Sequence, residues 1–491
     1  MAHHSDLHVA KSEALHVEDM EEQSYAGKEE VEGQESFTPK EVARIQRVVD
    51  WRVVPILGLM LGISLMDRSN VANAAIAGMR EDLDLWIGYR YALMVSCFFI
   101  TYVLLQAPMT WLTRAMGPRI VLPGVVLLWG ALIIGFGFAN SWTTLVALRL
   151  VLGVLESGFF GGGVYLLQTW FTRFELAKRF SVYYFIGVLV SSFSGVLSYG
   201  FMQMDGLNGV KGWEWIFIME GIITLLVGIA GWFSLPKFPD QEIKKPSFHF
   251  LKQDECQVII DRLTADRGDY QAEEFAWSLY LAPAKLPEIW AFGFMQFCTC
   301  TASYAYTFYL PIILRDSLKF SLAASQCLIA PPYAASGLMM IGCAWFADRH
   351  RTRAPVLILN CAVAIIGLPM AGFATNPWVR YVGVFFAVAA INTNIPMLIA
   401  YQASNIRGQW QRSFCSALMT GLGAIGGISG SLVYRTQDAP NYIPGIIAVL
   451  VCVVLVAIIS TILIFYLRRC NKQADQGLRV IHGSPEFRYT P

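Results

Sequence analysis

Long apolar runs, each interrupted by only a few polar residues, recur between residues 53 and 467. A run of about 18 or more apolar residues is long enough to cross a bilayer as a helix. Twelve such spans are expected, near 53–75, 88–112, 119–138, 142–168, 178–203, 213–235, 287–314, 322–346, 355–375, 378–402, 411–433 and 443–467. Only Ala-Asn-Ser-Trp (139–142) separates the third from the fourth, and the tenth carries Asn392 and Asn394 inside its apolar run. Between the sixth and seventh lies a polar segment, 236–286, whose middle, DECQVIIDRL, has the apolar spacing of a short surface helix. Residues 1–50 are polar and acid-rich, so no cleavable leader is expected and the first span is expected to act as an uncleaved anchor.

This pattern predicts an all-α membrane protein with twelve transmembrane helices in two six-helix bundles. The expected divisions are an N-terminal tail (1–50), a first bundle (51–235), a central loop (236–286), a second bundle (287–468) and a C-terminal tail (469–491). Orientation follows from Lys and Arg in short loops. With a cytoplasmic N-terminus, the inner loops carry Arg114, Arg119, Arg173, Lys178, Arg179, Arg349, Arg351, Arg353, Arg407, Arg412, Arg468, Arg469 and Lys472. The outer loops carry only Arg80, Arg90, Lys211, Arg315, Lys319, Arg380 and Arg435. Both termini and the central loop are therefore expected in the cytoplasm, and a substrate site is expected near mid-membrane between the bundles.

Composition agrees. Charged residues make up 15% of the chain, against about 25% in soluble domains. A formal charge of +1 gives no reason to expect a nucleic-acid partner. The ten cysteines show no metal-ligand spacing, and most, such as Cys97, Cys298, Cys343 and Cys452, fall in apolar runs as packing residues.

Against that background a few charges stand out. Ionisable groups in lipid cost several kcal/mol and mark a pathway or site. Those in the spans all belong to the first half: Asp67 and Arg68, Arg149 and Glu156, and Glu220. Asp67 lies about 14 residues into its span, roughly 21 Å deep, and Arg149 and Glu220 lie roughly 10 Å from the opposite end of theirs. In a core about 30 Å thick these three share a layer, which makes Arg149 the expected partner of Asp67. Arg149 and Glu156 are two turns apart on one helical face, near Gly153 and Gly163, and Gly158, Gly161 and Gly162 enrich the same helix. A salt-bridged packing face is the competing reading of these charges, and Arg68 has the further option of reaching the interface.

No histidine lies in a span, so any proton carrier is a carboxylate: Asp67, Glu156 or Glu220. Candidates to meet a polar substrate are Arg68, Arg149 and Asn70 in the first half, and Gln296, Tyr304, Asn392, Asn394 and Gln402 in the second. Tyr306 and Tyr401 lie in the same second-half stretches. Hydrogen bonds between helices are the competing use of these neutral groups.

Several segments carry a family resemblance over roughly 41–470. LMDRSNVANAAIAGM, RLVLGVLESGFFGGGVYLLQTWF, GWEWIFIMEGI, LPKFPD and GGISGSLVYRTQDAPNYIPG resemble the major facilitator superfamily and, within it, the fungal anion:cation symporters of the allantoate-permease-like group. WFADRHRTR resembles the superfamily's cytoplasmic gate motif, with Asp348 and Arg349 meeting neighbouring helix ends. The matching first-half loop, WLTRAMGPR, keeps Arg114, Gly117 and Arg119 but lacks the acid, so an asymmetric gate is expected. The chain departs from the group at Gln106, Pro108, Met109 and Thr110 in the second span. In the fourth, Phe159, Phe160, Gly161 and Gly162 stand where the group has Phe-Phe-Pro-Gly. Loss of that proline removes a kink and points to an altered cavity.

The resemblance implies proton-coupled symport of a small organic anion (a vitamin, ureide or other carboxylate), with the proton gradient as energy source and no cofactor. Arg149 or Arg68 would meet the anion, and Asp67 or Glu156 would carry the proton. The span 5 sequence GVLVSSFSGVLSYG lacks the Gly-Pro-rich motif of drug:proton antiporters, which favours symport. Export of a fungal secondary metabolite is the alternative, and a non-transporting nutrient sensor a remote one. No metal cluster, nucleophile elbow or phosphate loop points to an enzyme. A monomer in the plasma membrane is expected, without N-glycosylation, because no Asn-x-Ser/Thr site occurs.

Overall fold

The structure, a computed structural model, describes residues 37–491 apart from 245, 248–249, 268–280, 351, 407–408, 440 and 482–486. Most of the expected N-terminal tail and the DYQAEE part of the central segment therefore lie outside the described residues. The chain divides into two units, Met1–Val48 and Val49–Pro491. In the first, Thr38 and Glu41 form a capping pair: the Thr38 main-chain N–H donates to Glu41 Oε2 at 2.8 Å, and the Glu41 N–H donates to Thr38 Oγ1 at 3.4 Å.

All twelve spans form helices long and apolar enough to cross a membrane. Spans 1–6 cover Pro39–Asp82, Arg90–Thr113, Pro118–Phe136, Trp142–Trp170, Lys178–Met202 and Gly212–Ser234. Spans 7–12 cover Pro287–Ser317, Leu322–Ala347, Ala354–Phe373, Pro377–Ser404, Phe414–Val433 and Ile443–Asp475. Span 3 packs on span 6 and span 2 on span 4, and span 9 on span 12 and span 8 on span 10 repeat those pairings. The bundles meet where span 2 lies on span 11 and span 5 on span 8. Leu104, Leu128, Leu226, Ile366 and Phe465 are exposed on the outside, while Asp67, Arg149, Glu156 and Glu220 are buried. A bilayer demands this inverted distribution.

Local chemistry sets the breaks. Ser141 caps span 4 by accepting from the Thr144 N–H at 3.3 Å, which makes the short 3–4 connection workable. Gly117, at φ 92°, turns span 2 into span 3. Three spans of the first bundle are irregular inside. Span 1 passes through a π segment, Ala75–Met79, with Gly78 at φ 118°. Span 4 is interrupted directly after Glu156, and span 5 at Phe193. The helix of span 12 runs to Asp475, past the end of its apolar run, because Arg-Arg-Cys-Asn-Lys-Gln-Ala-Asp still favours helix.

The central segment contains helices Pro239–Lys244 and Gln253–Arg267, so the expected surface helix forms. It is pinned to the first bundle: Arg119 donates to Ser247 at 2.7 Å, Trp170 donates to the Lys237 carbonyl at 3.2 Å, and Arg262 pairs with Glu175 at 3.0 Å. On the same side of the second bundle, the main chain of Tyr489 and Thr490 pairs in both directions with the Asn471 and Asn405 amides. The Tyr489 hydroxyl donates to buried Glu288 at 2.8 Å.

Candidate functional site

Adjacent residues on a helix point about 100° apart, and this separates Asp67 from Arg68. Arg68 faces a cavity between the bundles. Span 1 supplies Arg68, Ser69 and Asn73 to its wall, and span 5 supplies Tyr184 and Ser191. Across from them span 7 supplies Ser303, Tyr304 and Thr307, span 8 Tyr333 and span 10 Asn392. Arg68 is the one charged residue among the lining side chains.

Arg68 is held from several sides. Its Nε and Nη2 donate to Glu156 Oε2 at 3.2 and 3.1 Å, and its Nη1 donates to the Tyr304 hydroxyl at 2.9 Å. The guanidinium lies 5.2 Å from the Phe98 ring centre and 5.1 Å from that of Tyr102. Ser64 donates to the same Glu156 oxygen at 2.9 Å, while Oε1 has no hydrogen-bond partner. The interruption after Glu156 places the acid at the end of a helix segment. Gly153, one turn before, lets span 2 approach: a Cβ there would collide with Thr101 Oγ1 and the Phe98 carbonyl. Thr101 uses the approach to donate to the Leu150 carbonyl at 2.9 Å.

The expected Asp67–Arg149 pair does not form. Both line a separate, smaller cavity with Asn70, Phe136 and Phe217. Among the described residues, no carboxylate comes within 4.0 Å of Arg149; its guanidinium lies 5.6 Å from the Phe136 ring centre. Asp67 Oδ1 accepts only a long bond from Asn70 at 3.5 Å, and Asp67 Oδ2 and Arg149 Nε have no partner. The shared depth read from the sequence put both residues at one cavity, but side-chain direction gave Glu156 to Arg68 instead.

Glu220 is fully buried on span 6, where its Oε1 accepts from Ser198 at 3.2 Å. Of the second-half candidates, Tyr304 and Asn392 line the cavity, and Asn392 Oδ1 accepts from Ser303 at 2.6 Å. Three others are not brought to it. Gln296 bonds Cys300 beside Gly423 of span 11, and Asn394, two residues round the helix from Asn392, accepts from Asn360 at 2.9 Å. Gln402, two turns beyond Asn394, is buried and lines neither cavity. The side chains of Arg114 and Asp348 lie outside the described residues. Of the other expected gate residues, Gly117 forms the span 2–3 turn, and Arg349 sits 5.3 Å over the Trp345 ring.

Sequence reasoning missed most of the hydroxyl lining. For span 5 a signal existed: Ser191, Ser194 and Ser198 repeat at helical spacing on one face. Tyr184 and Tyr333 read only as apolar positions in apolar runs.

The bundles are tied together at the end away from the central segment. There Arg80 pairs with Asp316 at 3.1 Å and Tyr91 donates to the Phe308 carbonyl at 2.9 Å. The Ser96 and Ser431 hydroxyls bond at 2.5 Å, and Gln326 donates to the Asn73 carbonyl at 3.3 Å.

Residues 57–431 match the family model described as Major Facilitator Superfamily. The chain is 30% identical over 444 residues to the MFS-type transporter cnsO of Penicillium expansum, covering 89% of this chain and 85% of that one. It is 30% identical over 458 residues to the major facilitator-type transporter hxnP of Emericella nidulans, covering 90% and 89%. To the high-affinity nicotinic acid transporter of Saccharomyces cerevisiae it is 26% identical over 460 residues, covering 91% and 84%. Among solved structures, the xylose transporter XylE of E. coli in a partially occluded inward open conformation superposes with a TM-score of 0.63 at 13% identity, covering 86% and 99%. A bacterial homologue of the human lysosomal transporter Spinster gives the same score at 14% identity, covering 85% and 96%. At such identity these two speak for the fold alone.

Proposed function

The chain belongs to the major facilitator superfamily, and from that premise we propose that it is a proton-coupled symporter importing a small organic anion, of the fungal anion:cation kind. The observation that carries this reading is that Arg68 belongs at once to the cavity wall and to Glu156. An anion entering the cavity competes with Glu156 for the same guanidinium. A proton on Glu156 weakens the acid's hold, and Arg68 then turns its donors to the anion with Tyr304 beside it. Loss of the anion lets Glu156 give up its proton and re-form the pair. Proton and anion thus bind together because one arginine cannot serve two carboxylates.

Asp67 and Arg149 form a second acid–base set one helical face away, which the proton-loaded state of the first bundle would draw on. The neutral groups of spans 7, 8 and 10 read the rest of the substrate. The name of the nicotinic acid relative supports a carboxylate as the recognised group. With the Lys- and Arg-rich loops in the cytoplasm, the tied end faces outward, in a plasma membrane, and both termini face inward.

The test is uptake by the protein in liposomes made acidic outside, with nicotinate as first probe in a panel of monocarboxylates and ureides. Accumulation abolished by a protonophore is expected, and its loss in Glu156→Gln. Accumulation indifferent to the protonophore contradicts the reading, and proton-driven efflux instead establishes export.

A further inference from the structure

A ladder of hydrogen bonds leads away from the cavity. Ser69 and Asn73, both in its wall, reach Ser194 Oγ at 2.8 and 2.9 Å. Ser194 donates to Asn70 Oδ1 at 3.0 Å, and Asn70 extends the ladder to Asp67. In the other direction Asn73 Nδ2 donates to Ser198 at 3.1 Å, and Ser198 donates to Glu220 at 3.2 Å. Two oxygens around the Ser198 hydroxyl, Asn73 Oδ1 and Glu220 Oε2, are buried and have no donor. Fully buried oxygens without donors are costly.

The charged surroundings of Glu220 are sparse. Span 3, packed against it, has no titratable group between Arg119 and Phe136, and the Ser194–Met202 helix of span 5 contributes serines and Tyr199. Asp67 on span 1 is a second acid, not a counter-charge. Arg149 of span 4 lines the small cavity with Phe217, one turn of span 6 before Glu220, and forms no ion pair with either acid.

We infer that Glu220, with Ser198 and Asn73, is the seat of a second coupling cation, a monovalent positive charge taken as a proton on the acid or as Na⁺ among its oxygens. This rests on the symport reading above and extends it. Rotating the Asn73 amide exchanges its nitrogen for its oxygen, which turns a donor to Ser198 into an oxygen ligand. Asn73 also touches what must open: its carbonyl accepts from Gln326 of span 8, one of the ties between the bundles. Occupancy of the Glu220 seat is thereby felt both at the cavity wall and at the tied end. An anion with one proton on Glu156 moves no net charge; with a second cation, one positive charge enters per anion.

The experiment measures uptake in liposomes at fixed pH gradient while a potassium–valinomycin potential is varied, with Na⁺ or choline outside. Wild type is expected to take up more anion as the interior is made negative. Glu220→Gln is expected to keep proton-driven uptake and lose the voltage dependence. A fall in wild-type uptake on replacing Na⁺ by choline identifies Na⁺ as the ion, and indifference identifies the proton. Ser198→Ala, which keeps the acid, is expected to shift the half-maximal cation concentration by about three- to tenfold. Voltage dependence unchanged in Glu220→Gln, or an unshifted Ser198→Ala if the glutamine variant does not fold, overturns the inference alone. Absence of cation-driven uptake by wild type overturns the symport reading beneath it.

Discussion

The two bundles repeat each other in packing and differ in chemistry. Spans 1–6 hold Asp67, Arg68, Arg149, Glu156 and Glu220 in their interior. Facing them, spans 7–12 line the cavity with Ser303, Tyr304, Thr307, Tyr333 and Asn392, all neutral. Buried charge is expensive unless paired, and it changes state when a proton or anion arrives. Neutral amides and hydroxyls hold still through the same events. The difference suggests a division of labour: the first bundle answers to ions, and the second reads the shape and hydrogen-bonding groups of the solute.

The sharpest way to break that comparison is at Arg68. Arg68→Lys is expected to lower uptake at least ~100-fold, about 3 kcal/mol. An ammonium cannot serve Glu156 and Tyr304 in one plane while lying between two rings. Arg68→Met, which leaves Glu156 buried alone, is expected to cost about 3–5 kcal/mol of stability as well, read by thermal unfolding in detergent. Next comes Tyr304→Phe, which removes the hydroxyl of the second bundle that accepts from that arginine. A charged hydrogen bond is worth about 1.5–3 kcal/mol, so kcat/KM should fall roughly 10- to 100-fold. Asn392→Ala sharpens the contrast from the other side. It is expected to raise KM by about two- to tenfold and to leave the pH profile of uptake untouched, since no ion is involved.

The smallest effect concerns the segments docked at the terminal ends. Burial acts to raise the Glu175 carboxyl, but the hydrogen bond and charge of Arg262 outweigh it and hold the acid below its ordinary value of 4.5. A lowered acid contributes stability above its unfolded value and loses it as pH falls through the folded one. The central segment should therefore loosen from the first bundle below about pH 4.5, by about 0.3–1 kcal/mol. Arg262→Gln removes the partner of Glu175 and should abolish the response in the central segment alone, since the segment on the second bundle keeps its own carboxylate contacts, Tyr489 with Glu288 and Arg488 with Asp475. Hydrogen exchange in the two segments at two pH values measures the difference.

Much of this was legible in the sequence because a bilayer leaves few choices. Twelve apolar runs became twelve helices, and the charges that violated the apolar rule lie in the first bundle's interior. Tyr304 and Asn392 were legible as polar groups in apolar runs. The pairing was not. Depth along a helix follows from counting residues, but the partner depends on which way each side chain turns. Asp67 and Arg68 turn to different cavities. The break after Glu156 was unreadable for a related reason: glycines permit both a straight close-packed helix and an interrupted one. Asn394 and Gln296 look like Asn392 in sequence and differ from it only by rotation and depth.

The central claim is that Glu156 and the anion contend for Arg68, so that anion binding draws in a proton. Calorimetry tests it directly, by titrating the anion found in the uptake panel into the protein in two buffers of different ionisation heat. The account predicts proton uptake on binding by wild type and one proton fewer per anion in Glu156→Gln. Equal proton uptake by the two proteins, or none by wild type, contradicts it.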